Sequence, residues 1–138
     1  MQKAKKCLER RVNYYETDKM GVVHHSNYIR WFEEARVMWL IEAGVPYDEI
    51  ENLGIQIPVV GVICEYKSPA RFGDIICVQA YTKEITGVKF IIGYEVTNKK
   101  TGDILVKGET RHCFVNSKFK VINLRKFNME IYQKLNEI

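Results

Sequence analysis

The chain has 138 residues, 46% hydrophobic and 28% charged, with a net charge of +4. That length suits one domain spanning residues 1–138, and the composition suits an ordinary soluble globular core rather than a disordered or fibrous chain. No apolar run approaches the ~20 residues that span a bilayer, and the basic start MQKAKKCLERR lacks the apolar stretch of a signal peptide. No membrane insertion and a cytoplasmic location are therefore expected. The cysteines, Cys7, Cys64, Cys77 and Cys113, are far apart in sequence, which excludes a CxxC metal or redox motif. They read as small buried side chains. Basic residues cluster at both ends (Lys3, Lys5, Lys6, Arg10, Arg11; Lys118, Lys120, Arg125, Lys126) and at Lys99-Lys100. They suit an ordinary solvated surface; the sharper reading is attraction of an anionic ligand such as a nucleotide phosphate. No basic helix or aromatic RNA-binding motif is present, so no nucleic-acid partner is expected.

In chain order, Leu8 to Tyr15 alternates as a first strand. A loop follows, with Gly21 as its pivot. From Asn27 to Ala43 the residues Tyr28, Trp31, Phe32, Ala35, Met38 and Trp39 form one apolar stripe at helical period. Ser26 or Asn27 suits the cap of that helix, and Gly44 suits the left-handed position after its last turn. Val37 and Ile41 widen the apolar surface, which predicts a helix buried on most sides. Ile57–Tyr66, Ile75–Ile85, Val88–Thr97 and Ile104–Val115 are rich in β-branched and aromatic residues. Thr86-Gly87 and the loop Asn98–Asp103 join consecutive strands as short turns, and Pro69–Asp74 is a turn-rich connection. The predicted class is α+β: five antiparallel strands curled around one long helix. A short terminal helix is expected within Asn123–Ile138. The sheet's exposed edges favour pairing with a second copy.

The chemistry-bearing stretch is ETDKMGVVHHSNY, Glu16 to Tyr28. Three readings compete. Adjacent histidines on an extended segment point to opposite sides, so His24 and His25 do not suit one metal ion, and no metal site is expected. Asp18 and Asn27 could serve only a turn and a cap. Alternatively, the loop doubles back and sets the Asp18 carboxylate against the helix N-terminus. Free N–H groups from Val22 to Ser26 would then polarise a carbonyl while the carboxylate attacks it or activates water. No GxSxG nucleophile motif is present.

The run YETDKMGVVHHSNYIRWFEEAR, with the later YKSPARFGD, resembles the signature of the 4-hydroxybenzoyl-CoA thioesterase family, in particular its YbgC-like acyl-CoA thioesterases. The resemblance implies the hotdog fold, an antiparallel sheet wrapped around a long central helix. It also implies a homodimer or homotetramer with each active site between chains. The implied reaction is hydrolysis of an acyl-CoA, coenzyme A being part of the substrate and no cofactor being needed. Asp18 matches the family's catalytic aspartate and His25 the histidine beside the thioester. Val23, His24, Ser26 and Asn27 fall in the implied substrate-binding segment. Lys67 and Arg71 are the expected holders of the CoA phosphates. Glu33 and Arg36 match a polar anchor on the helix. Two positions depart from the pattern: Glu16 stands for the family's usual first aspartate, and His24 for a tyrosine. Hydrolysis of a carrier-protein thioester and non-catalytic binding of acyl thioesters remain as alternatives.

Overall fold

A computed structural model describes residues 7–138. Lys3, Lys5 and Lys6, assigned above to the basic surface, lie outside the described residues. The elements are β1 (Leu8–Arg11), α1 (Ser26–Glu42), α2 (Tyr47–Asn52), β2 (Val59–Tyr66), β3 (Ile75–Ile85), β4 (Lys89–Asn98), β5 (Ile104–Cys113), α3 (Leu124–Phe127) and α4 (Met129–Asn136). The strands form one five-stranded sheet in the order β1-β3-β4-β5-β2. β1 runs antiparallel to β3, with Leu8 opposite Val78 and Arg11 opposite Ile75. No helix among the described residues is long and apolar enough to cross a membrane.

The residues divide into two compact units. The first comprises the chain up to Arg36 with Cys64–Ala80 and Tyr94–Gly108. Here α1 buries Tyr28, Trp31, Phe32 and Ala35, the first half of the predicted stripe. Phe32 stacks on Tyr94 with ring centroids 4.4 Å apart, and buried Arg36 donates from Nη1 to the Tyr94 hydroxyl at 3.0 Å. On β3, buried Ile76, Val78 and Ala80 alternate with half-buried Cys77 and Gln79, the period of a strand with one face on the core. The turn between β4 and β5 closes as the sequence predicts: the Asn98 side chain accepts from the N–H groups of Lys100 and Thr101, and Gly102 takes φ 76°.

The second unit comprises Val37–Ile63, Tyr81–Gly93 and Glu109–Ile138. Phe90 stacks between Trp39 and Phe114, at 6.4 and 5.8 Å. Leu40, Ile50, Ile55, Leu124 and Leu135 are fully buried. Two residues past the end of α1, Gly44 takes φ 80°; its N–H bonds to the Ile41 carbonyl while that of Val45 bonds to Leu40. These bonds satisfy carbonyls that the helix end would otherwise leave open.

Several expectations need correction. β1 stops at Arg11 rather than Tyr15, because Asn13 opens a 3-10 turn over Tyr14–Glu16 and gives its N–H to the Glu16 side chain. A side chain that competes for backbone donors ends a ladder. β2 starts at Val59 rather than Ile57, since Pro58 lacks an N–H and Gln56 pairs outside the strand with Val115. α2 has no counterpart in the sequence reading. The terminal helix is two helices, broken at Asn128, whose side chain accepts from the Ile131 N–H and caps α4. Val37 and Ile41 are exposed, so α1 is not covered on most sides within one chain. The four cysteines are half-buried rather than buried. β2 is an edge strand, and its Val59, Val60, Val62 and Ile63 are all exposed.

Gly93 on β4 lies under the Tyr81 ring, and a Cβ there would overlap it. Gly93→Ala is expected to cost about 1–3 kcal/mol by overpacking. Urea unfolding checks this, and Tyr81→Leu added to Gly93→Ala should restore part of the loss.

Candidate active site

The segment from Glu16 to His24 is a tight hairpin. Thr17 bridges Val23, the Asp18 N–H donates to the Val22 carbonyl at 2.9 Å, and the His24 N–H donates to the Glu16 carbonyl at 2.8 Å. At its tip the Asp18 carbonyl accepts from Gly21, whose φ of 77° is the predicted pivot. The chain therefore doubles back immediately before α1. Asp18 is half-buried; its Oδ1 accepts from the Met20 N–H at 2.8 Å, while Oδ2 accepts nothing among the described residues.

The other side of the hairpin is held by the loop after β2. The Val23 N–H donates to the Ala70 carbonyl at 2.9 Å, and Val22 bridges Arg71. The Ala70 N–H in turn reaches the Tyr28 hydroxyl at 3.3 Å. Arg71 is thus anchored beside the loop by its backbone, with its side chain exposed. Lys67 is also exposed, but its ammonium stands 3.3 Å from Glu65.

Most of the amides expected to polarise a carbonyl are already used. Val23 and His24 donate as above, Ser26 donates to His24 Nδ1 at 3.2 Å, and Asn27 donates to the His24 carbonyl at 3.0 Å. The set Val22–Ser26 therefore contracts to Val22, which lies on the hairpin, and His25. The His25 N–H, directly before the first residue of α1, has no acceptor among the described residues. The Asn27 side chain does not cap the helix by accepting from it. It is buried and donates to the Glu16 carbonyl at 2.9 Å. Val23 is buried as well. His24 and His25 do not point to opposite sides. Their rings lie side by side with centroids 4.2 Å apart, because His25 already belongs to a turn and strand alternation no longer applies. Ser26 Oγ lies 2.8 Å from His24 Nδ1, which fixes that ring.

Two residues have roles here that the sequence did not assign them. Tyr66 stands over Tyr28 (centroids 5.6 Å apart, edge-on) with its hydroxyl 3.4 Å from the His25 carbonyl. Burial pushes that hydroxyl up to about 12, with the neighbouring Cys64 thiol adding to the rise, so it stays protonated. The second is Glu16. Its Oε2 accepts from Arg10 Nη1 at 2.6 Å and Trp31 Nε1 at 2.8 Å, and its Oε1 from the Asn13 N–H at 2.8 Å. Arg10 also reaches Glu34 at 3.2 Å and lies over the Trp31 ring. The spacing Asn13-x-x-Glu16 was the available signal, since an acid three residues after a short polar residue is a capping pattern.

A family profile described as the thioesterase-like superfamily matches residues 12–134. A protein of Aquifex aeolicus named as a candidate esterase is 38% identical over 123 residues, which is 88% of this chain and 93% of that one. A protein of Bacillus subtilis named as a candidate acyl-CoA thioesterase, YneP, is 35% identical over 127 residues, 91% and 90% of the two chains. Among solved structures, a DHNA-CoA thioesterase from Staphylococcus aureus superposes with a TM-score of 0.87 at 28% identity, covering 96% of this chain and 89% of its own.

Burial raises the affinity of Glu16 for a proton, but the Asn13 N–H, the Arg10 and Trp31 donors and the Arg10 charge outweigh it and hold the carboxyl below its ordinary 4.5. A lowered folded value adds stability above pH 4.5 that disappears as the pH falls through the folded value. Glu16→Gln should cost roughly 1.5–3 kcal/mol at neutral pH, the worth of hydrogen bonds to a charged group. It should also flatten the acid limb of the stability profile below pH 4.5, read by urea unfolding across pH.

Proposed function

This chain belongs to the thioesterase-like superfamily and has its hotdog fold, and on that premise we propose that it is an acyl-CoA thioesterase in which Asp18 and the N-terminus of α1 form the reacting centre. Enzyme activity of the thioesterase class follows from the family and from the relatives above. The assignment of residues is our own reading. The observation that carries it is the His25 N–H, left without an acceptor among the described residues while the amides around it are bonded. Charge develops on a thioester oxygen when its carbonyl carbon is attacked, and a fixed donor at a helix start stabilises that charge without reorganising.

In this account the thioester carbonyl accepts from the His25 N–H. Asp18 Oδ2 either attacks the carbonyl carbon, forming an anhydride that water then opens, or takes a proton from a water that attacks directly. In both routes the C–S bond breaks, the CoA sulfur leaves and is protonated, and a carboxylic acid remains. The His25 ring positions the thioester and assists departure of the sulfur. His24, Ser26, Val23 and Asn27 hold the loop and the helix start around it. Arg71, anchored beside Val22, meets the CoA phosphates, and Lys67 shares that role with its pairing to Glu65. The finer placement among YbgC-like enzymes rests on the run from Tyr15 to Arg36. A homodimer or homotetramer, with the exposed edge of β2 in the contact and sites between chains, completes the reading, and a cytoplasmic enzyme fits it.

The test is thiol release from short, long and aromatic acyl-CoAs. Wild type should hydrolyse at least one class, and Asp18→Asn should lose about a hundredfold or more, the scale of a positioned acid-base group. His25→Ala retains the backbone N–H and should lose less. Full activity of Asp18→Asn would remove Asp18 from the reaction. Folded protein inactive on every CoA ester but active on a carrier-protein thioester would move the substrate, not the site.

A further inference from the structure

On β1 and the start of β3, away from the loop just described, three ligand-type side chains converge. Glu9 lies directly opposite Cys77 in the antiparallel register. Cys7, the residue just before β1 and two before Glu9, comes to the same place. The Cys7 and Cys77 sulfurs and a Glu9 carboxylate oxygen all lie within 4.8 Å of one another. The thiols are half-buried and the carboxylate is exposed, so the cluster opens to solvent on the side of β3 opposite its buried Ile76 and Val78. Lys99 reaches the same place: its ammonium is 2.8 Å from Glu9 Oε1, and its N–H donates to the Ile75 carbonyl.

Two chemistries use such a pair of thiols. A disulfide needs Cα atoms about 4.4–6.8 Å apart. Cys7 falls one step beyond the Leu8–Val78 pair that ends the ladder, so by extension of the register it is diagonal to Cys77 rather than opposite it, and diagonal residues stand about 7–8 Å apart. An ion between the sulfurs accepts that wider spacing. Tetrahedral zinc, with sulfurs at about 2.3 Å and a carboxylate oxygen at about 2.0–2.2 Å, sets its ligand atoms roughly 3.5–4 Å from one another. Two thiolates with one carboxylate favour a borderline-soft divalent ion over magnesium or calcium.

We propose that Cys7, Glu9 and Cys77 form a three-ligand site for a tetrahedral divalent cation of the zinc class, with the fourth position open to water. Binding displaces the two thiol protons into solvent and joins the two sulfurs and the carboxylate through the ion, with no change of oxidation state. The ion ties the four-residue edge strand β1 to β3. The role is structural, and it is independent of the thioesterase reading.

The experiment is titration of the reduced full chain with Co²⁺, followed by displacement with Zn²⁺. Thiolate ligation gives Co²⁺ a near-ultraviolet charge-transfer band that histidine or carboxylate ligation alone does not. Wild type should develop this band with about one equivalent of metal, lose it to Zn²⁺, and melt at a higher temperature with Zn²⁺ bound. Cys77→Ser and Cys7→Ser should each abolish the band. Glu9→Gln should weaken binding at least about tenfold, and Cys64→Ser should leave it unchanged. No band in wild type, a band that survives Cys77→Ser and Cys7→Ser, or one that depends on Cys64 would overturn the proposal. Because Cys7 precedes β1 and Glu9 is exposed, the Cys7 and Glu9 variants report on the site even if Cys77→Ser folds poorly.

Discussion

The Glu16 side chain is the point on which the first unit turns. Its two carboxylate oxygens gather Arg10, Trp31 and the Asn13 backbone, while its carbonyl gathers His24 and Asn27. These five partners belong to β1, the 3-10 turn, the hairpin and α1. A buried carboxylate is costly unless its lone pairs are met, and here each oxygen meets a donor. Met in this way, it fixes the angle at which the hairpin enters the helix. The same bonds decide which amides remain for a substrate. With His24 tied to Glu16 and Ser26 and Asn27 tied to His24, the donor at the helix start narrows to His25.

Much of this architecture is legible in the sequence. The stripe from Tyr28 to Ala35 has helical period because it packs as a helix, and those four side chains are buried. The bounds of β3 were read to the residue, since alternation and turn chemistry agreed at both ends. Elements defined by one local bond were not legible. β1 ends early because of a single N–H to Glu16. The tail breaks at Asn128 because one amide side chain caps a new helix. α2 spans only Tyr47–Asn52, too short to show a period, and its packing rests on buried Ile50.

The candidate site divides along the same line. The sequence placed Asp18 and His25 in one loop before a helix, and that loop does fold back through the Thr17–Val23 bridge. It could not say which backbone donors the fold would consume, because Ala70 comes from another segment and the Glu16 and His24 carbonyls accept only once the hairpin and turn have closed. Nor could it foresee the side-by-side histidine rings, since strand alternation fails one residue before a helix. The cysteines make the same point. A search by spacing finds nothing in residues 7 and 77, while the fold brings them together beside Glu9.

The central claim is that the His25 backbone N–H receives the thioester oxygen. A crystal structure with an acyl-CoA analogue carrying a ketone in place of the thioester tests it directly. The account predicts the ketone oxygen about 2.7–3.1 Å from the His25 nitrogen, with Asp18 Oδ2 facing the carbonyl carbon. A ketone seated away from the start of α1, with the His25 N–H still facing water, would contradict it.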